Sequence, residues 1–343
     1  MIGKIGAMLV LIAACALGAP AQENVPIISG GADFLTSTQG GATTLLPALI
    51  PVVAAPLGNH VLFESRGELL EFYSRQNGRT GPYQHQFIWA IDYMQLDFVI
   101  DSHLTIVAGR FLTPFNIYNE RLAPAWIHNF ENGPFTYSFG NGPVGSSTGL
   151  MARGVLVARP SYEVNYTAYY SGLVDLNSHW GTGRTAGGRM GVFFPGPRLE
   201  AGFSYERYLQ DTHRNIEGLY FSWQPKSVPL DVKSEWAHSP SGQGYWLEGL
   251  YRLSRFRGPD SALGRLAPVA RVEQFHRDQF IAGDGLPGTN LKEGDFGLNY
   301  YLPHEIRLNG TYGRQFSSQR NVNVWNFGLT YRFLFPMWPG GSK

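Results

Sequence analysis

VNVWNFGLTYRF, residues 322–333, states the pattern that the rest of the chain follows. Trp325, Phe327, Leu329, Tyr331 and Phe333 take its odd positions, and Asn326, Gly328, Thr330 and Arg332 fall between them. Side chains alternate faces along a strand, so one face here is apolar and the other polar. Packed in a soluble sandwich, the apolar face would favour branched aliphatics. Instead it carries rings at both ends with Leu329 between them, as in a strand that crosses a bilayer and sets aromatics at both water interfaces. The stretch predicts an outer-membrane β-barrel; the alternative is an edge strand of a secreted β-sandwich.

Composition favours the barrel. Charged residues are 15% of the 343 positions, against about 25% in an ordinary soluble domain, while Gly (42), Phe (22) and Tyr (18) are plentiful. A net charge of +1 gives no basis for nucleic-acid binding. At the amino terminus, Lys4, the apolar run 5–14 and Ala19-Pro20-Ala21 read as a signal peptide, residues 1–21, cleaved before Gln22. Ile12-Ala13-Ala14-Cys15 also fits lipoprotein processing, but a barrel needs no lipid anchor, so cleavage after Ala21 is preferred. Cys15 is the only cysteine, and the mature chain then holds neither disulfide nor thiolate chemistry. A membrane helix needs ~20 apolar residues. The nearest approach, 43–56, is short and broken by Pro47, Pro51 and Pro56. Strands must therefore do the crossing, and only a closed barrel satisfies every backbone group in lipid.

Residues 22–59 are rich in Gly, Pro and Ala without a sustained period, and read as either a leader or an irregular first hairpin. From residue 60 to 335 the alternation is regular, with fourteen segments between 61–74 and 321–333 and a tail at 336–343. A hidden hairpin before His60 would raise the count to sixteen. Tight turns alternate with longer polar connections, the asymmetry of a barrel with short periplasmic turns and both termini in the periplasm. The connection around 257–263 is longer than its rim predicts. Within 84–99 the apolar face switches, which a bulge near Met94 would reconcile. Alternation places Asp231, Lys233, Glu235, Glu305, Arg307, Asn309, Thr311 and Gln315 inside. It also places Glu163, Arg189, Glu200, Glu248, Arg252, Arg271, Glu273, Glu293 and Asp295 there, together with Arg153. Such an interior is polar with both signs mixed and suits a water-filled passage.

The longest interruption, 113–147, is too aromatic for a loose solvated loop, since it holds Phe115, Tyr118, Trp126, Phe130, Phe135, Tyr137 and Phe139. It is expected to fold into the barrel mouth and narrow the passage, offering Asn116, Glu120, Arg121, His128 and Asn129 as polar contacts. An outer cap packed on its own aromatics is the alternative. Leu104-Thr105-Ile106-Val107-Ala108-Gly109-Arg110-Phe111, continuing through Thr113-Pro114-Phe115-Asn116-Ile117-Tyr118 to Trp126, resembles the Gly-Arg-Phe strand and following loop of the phosphate-selective porin O/P type. That resemblance covers about 104–127. It implies a sixteen-stranded diffusion channel, assembly as a homotrimer, and an Arg110 that points into the pore below the loop. By alternation alone Arg110 is ambiguous, because Leu104, Ile106 and Ala108 share its parity. The chain departs from the family where phosphate selectivity is concerned: it has no inward arginine ladder and no lysine-rich loop.

Rival chemistries find less support. His238-Ser239-Pro240-Ser241-Gly242 puts a histidine near two serines, as a phospholipase-like hydrolase would need, but neighbours and residues three apart on a strand face opposite ways. The nine histidines lack paired ligand spacing, and Asp284, Asn290, Glu293 and Asp295 lack a calcium-loop pattern. An adhesive or structural barrel would need an apolar plug or repeat-rich loops. The sequence is thus read as an outer-membrane porin, not an enzyme, without cofactor or metal. Its partners are the bilayer and small hydrophilic solutes or ions. The expected lining is Arg110, Asn116, Glu120, Arg121, Arg153, Arg189, Glu248, Arg252, Arg271 and Glu273.

Overall fold

In the computed structural model, residues 25–75, 82–122, 124–139, 145–172, 183–210, 213–282 and 284–336 are described. The signal-peptide reading with its Cys15 alternative, and the tail beyond Pro336, lie outside them. Sixteen antiparallel strands follow one another in chain order, and the last returns to the first. They are β1 (Ile27–Gln39), β2 (Ala42–Pro56), β3 (Val61–Arg75), β4 (Gln84–Val99), β5 (Thr105–Leu112), β6 (Ser146–Ala158), β7 (Glu163–Ser171) and β8 (Thr185–Phe194). The second half comprises β9 (Leu199–Tyr208), β10 (Asn215–Trp223), β11 (Leu230–Ser239), β12 (Gly242–Tyr251), β13 (Leu266–Arg277), β14 (Leu291–Leu302), β15 (Ile306–Ser317) and β16 (Val322–Pro336). Closure runs from Ile27 opposite Pro336 to Gln39 opposite Val324. Both strand ends therefore meet on one rim, which also carries the short turns.

The expectation of fourteen strands is corrected to the sixteen of the alternative. The two missing strands are β1 and β2, joined at Gly40-Gly41. β2 hides from a period-two search because it is apolar on both faces and holds Pro47 and Pro51. Proline cannot donate to a ladder, and the β2–β3 register skips both. Part of the inward side here also meets protein rather than water, because Trp126 from the long loop lies against Gly31 so closely that a Cβ there would be 2.6 Å from the ring.

Elsewhere the alternation holds. On β16, Trp325, Phe327, Leu329 and Tyr331 are exposed on the outer surface, while Asn326 and Thr330 are buried inside. On β11, Asp231, Lys233 and Glu235 are buried. Glu305 is a correction: β15 begins at Ile306, so Glu305 falls on the exposed turn before the strand. Strand β4 switches face at Asp92, the extra residue between Tyr93 opposite Arg66 and Ile91 opposite Gly67. The bulge turns Phe87 and Trp89 outward before it and Phe98 outward after it, with Gln95 and Asp97 inside. The β12–β13 connection is the long exception among the turns of its rim and contains a short helix, α1 (Ser254–Arg257).

Candidate functional site

The connection from β5 to β6 does not cap the barrel from outside. It enters the barrel and lies against inward-facing residues of successive strands. Near its start, the Asn116 N–H donates to Ser204 Oγ of β9 (2.9 Å), and the Ile117 and Tyr118 N–H groups both donate to Glu235 Oε1 of β11 (2.7 and 2.6 Å). A π-helical turn over Tyr118–Leu122 follows. Farther along, Asn129 Nδ2 donates to Glu248 Oε1 of β12 (2.7 Å), and the Phe135 N–H to Glu273 Oε2 of β13 (2.7 Å). From β13, Arg271 Nη1 donates to the Asn132 carbonyl (2.9 Å), and its guanidinium lies over the Phe130 ring. Arg307 of β15 donates to the His128 and Ala125 carbonyls (2.5 and 2.6 Å), and Asn309 Nδ2 donates to Glu131.

Aromatic packing fills the space beneath. Phe115 and Phe139 bury against Ile216, Ala237 and Phe275, while Phe130 buries against Leu250, Ala267 and Val269. Gly218 is required here: a Cβ would lie 2.4 Å from the Asn116 amide oxygen. The loop thus covers the wall from β8 round through β15 and β16 to β1, and leaves a gap beside β3–β6. There a cavity of about 140 Å³ is lined by Glu64, Tyr93, Gln95, Phe111, Leu112, Glu120, Met151 and Arg153. At the rim opposite the chain ends, a wider hollow of about 440 Å³ is bordered by Gln39, Thr44, Gln315, Ser317 and Arg320 among others.

The predicted lining divides into three groups. Glu120, Arg121, Arg153 and Arg189 come together beside the open side. Glu120 pairs with Arg189 at 2.7 Å and Arg153 at 3.7 Å, Arg153 also reaches Asp97 at 2.5 Å, and Arg121 pairs with Glu200 at 2.7 Å. Side-chain exposure ranks them: Arg121 is 37% and Arg153 35% exposed, whereas Arg189 is 5%. Burial acts to raise the Glu120 carboxyl, but the Arg189, Arg121 and Arg153 guanidiniums outweigh it and hold the group below its usual value. Glu120 is therefore an anion at neutral pH, in a setting where charge is only partly shielded by water.

Asn116, Glu248, Arg271 and Glu273 form the second group. Asn116 belongs to the loop, and Glu248, Arg271 and Glu273 are buried beneath the loop and hold it, with Arg271 Nη2 3.3 Å from both Glu273 and Asp295. Arg110 and Arg252 stand apart. Arg110 is 3% exposed, and its Nε donates to the Ile91 carbonyl (2.8 Å), so the wall at the β4 bulge engages it. Arg252 is a correction. β12 ends at Tyr251, so Arg252 leaves the ladder, its N–H donates to the Pro229 carbonyl at the rim, and its side chain is exposed.

Glu64 and Gln95 line the cavity and Asp97 pairs with Arg153 beside it, and all three were missed. Their signal is alternation itself: Gln95 and Asp97 alternate with Leu96 and Phe98 after the face switch of β4, and Glu64 falls between Phe63 and Ser65 on β3. Glu235 and Arg307 were placed inside by alternation, but nothing in the sequence marks them as anchors for the loop. Of the rival sites, His238 stacks on Trp236 (6.1 Å between centroids, 4° between planes), while Ser239 is buried and its Oγ accepts the Ser241 N–H (3.1 Å). Asp284 pairs with Arg277 at 2.8 Å and is not one of the Glu273, Glu293 and Asp295 carboxylates that gather together, of which Glu273 and Asp295 pair with Arg271.

No protein-family model and no curated protein matches the chain. Among solved structures, an anion-selective porin from Comamonas acidovorans aligns with a TM-score of 0.60 at 10% identity, covering 90% of this chain and 98% of that one. A loop-deleted OmpT of Vibrio cholerae gives 0.57 at 11% identity, over 90% of this chain and 100% of that one. OmpF of Salmonella typhi, in complex with daunomycin, gives 0.57 at 13% identity over 90% and 97%. At such identities the likeness is one of architecture: this chain has the closed antiparallel barrel fold of outer-membrane porins.

Proposed function

We propose that the chain is an outer-membrane porin through which small hydrophilic solutes or ions diffuse down their gradients, with no chemical step. The observation that carries this reading is the polar barrel interior, narrowed by an internal loop that leaves a charged cavity beside β3–β6. Selectivity follows from passage width and from the charges that reach it, by the close-range electrostatics general to channels. Arg121 and Arg153 are the most exposed cations of that group, and they stand against Glu64 and Glu120. The resemblance of 104–127 to the phosphate-selective porin O/P type supports the architecture and the homotrimer. It is not extended to phosphate, because each of these arginines already has a carboxylate partner.

Planar-bilayer recording of the purified protein tests the function. Discrete conductance steps are expected, with a larger step when residues 116–139 are replaced by a short linker. Absence of steps from correctly folded protein overturns the channel; an unchanged step after the deletion overturns the loop as its constriction.

A further inference from the structure

The rim where the chain ends meet carries a concentrated positive charge. Three neighbouring turns, residues 195–198, 224–229 and 252–265, hold Arg198, Lys226, Arg252, Arg255, Arg257 and Arg265 against one acid, Asp260. Among the described residues none of these six has an ion-pair partner. The arginines at the loop and wall contrast with them: Arg66, Arg121, Arg153, Arg189 and Arg271 each meet a carboxylate.

The same turns expose apolar side chains on the outer surface. Tyr251 ends β12 with the outward parity of Tyr245 and Leu247, and Phe256 of α1 stacks on it at 5.9 Å and 24°. Phe256 is 65% and Leu263 52% exposed. Arg255 Nη1 donates to the Lys226 carbonyl (2.7 Å), which ties two of the turns together and leaves the rest of the guanidinium free.

We propose that this patch docks on anionic phospholipid headgroups of the leaflet at that rim, with Arg255 and Arg257 receiving phosphate. The inference rests on the membrane-barrel reading and not on what the passage conducts. Aromatic side chains favour the depth where hydrocarbon meets headgroups, and a stacked Tyr251–Phe256 pair sets the adjacent guanidiniums at the phosphate level. Guanidinium binds phosphate bidentately, which suits it to this contact better than an ammonium. A polymer or protein partner dissolved in water would use the charges but would leave Phe256 and Leu263 without a purpose.

The test uses the full folded protein in micelles containing equal phosphatidylglycerol and phosphatidylcholine of the same chains, with retained lipid counted by native mass spectrometry. Wild type is expected to retain phosphatidylglycerol preferentially, and R255Q/R257Q to lower that preference roughly thirtyfold, at about 1 kcal/mol per basic residue near an anionic surface. R320Q, on the opposite rim, is the control and is expected to keep it. No preference in wild type, an unchanged preference in R255Q/R257Q, or an equal loss in R320Q overturns the proposal. So does inorganic phosphate binding the patch as tightly as the lipid. Channel conductance measured alongside separates the readings: it is expected to be the same in R255Q/R257Q as in wild type, and a wild type that retains phosphatidylglycerol without conducting would count against the pore alone.

Discussion

On the proposed porin reading, single charges decide both what passes the barrel and how firmly the loop sits. Arg153 stands between Asp97 and Glu120 with 35% side-chain exposure, so on that reading it is both a structural pair and a charge presented to solutes. Its replacement, Arg153→Gln, leaves two carboxylates without their shared cation. One unit charge at ~4 Å in water amounts to about 1 kcal/mol, so the cation-to-anion permeability ratio is expected to rise roughly fivefold. Reversal potentials in a salt gradient measure this, and an unmoved ratio would show that solutes pass elsewhere. Glu131 of the loop supplies a pH response. Burial, reinforced by the charge of Asp33, pushes its carboxyl up to about 7, although Asn309 and Arg307 act to lower it. A carboxyl raised in the folded state holds its proton better there than in the unfolded chain. Its folded form is therefore favoured at low pH, and stability is lost as pH rises from about 4.5 to 7. Glu131→Gln is expected to flatten that dependence, by on the order of 2 kcal/mol between pH 5 and 8, as read from denaturation midpoints. Much of this site was legible in the sequence. Glu120 and Arg121 followed from an unusually aromatic loop, and Arg153 and Arg189 from strand parity. Asp97 and Glu64 were legible by the same rule but were passed over: Asp97 alternates with Leu96 and Phe98 after the face switch of β4, and Glu64 alternates with Phe63 and Ser65 on β3. Arg252 was misassigned because parity was carried one residue past the end of β12.

At the scale of elements, the loop is held by side chains that satisfy its backbone. A loop inside a barrel must find partners for its N–H and C=O groups, since each buried group left unpaired costs about 1–3 kcal/mol. Glu235 accepts three donors at once: the Ile117 and Tyr118 N–H groups on Oε1 and the Trp246 Nε1–H on Oε2 (3.0 Å). Arg307 supplies the complement by donating to two loop carbonyls. Glu235→Ala is expected to release the first half of the loop, seen as protease cleavage within 113–122 and as flickering of the open-channel current. Glu235→Gln, which keeps one carbonyl acceptor, is expected to give an intermediate effect. If both variants resist protease as wild type does, the anchoring lies in the aromatic packing instead. Strands β3 to β16 were readable because water on one side and lipid on the other impose a strict period. Strand β2 was not, because its proline-interrupted, doubly apolar sequence carries no such period.

Across the whole molecule the barrel has no strand edge, and its outer surface takes its stability from lipid rather than from a second sheet. Phe327, Leu329 and Tyr331 of β16 and Leu308 of β15 are exposed on that surface, an arrangement that would aggregate in water and that a bilayer satisfies. Cost should then depend on depth rather than on residue type. Leu329 lies midway along β16, whereas Trp325 lies near the end that pairs with the close of β1. An arginine on the lipid face costs about 2–4 kcal/mol at the midplane and about 0–1 near an interface. Leu329→Arg is therefore expected to destabilise the barrel in vesicles by several times as much as Trp325→Arg, measured by guanidinium unfolding monitored by tryptophan fluorescence and by heat-dependent gel migration. Since Trp325→Arg removes the larger ring, a soluble sheet packed against a second layer predicts the reverse order. Equal or reversed costs would mean that the outward ring of β16 is buried by protein, and the lipid-facing reading of the whole cylinder would fall with it.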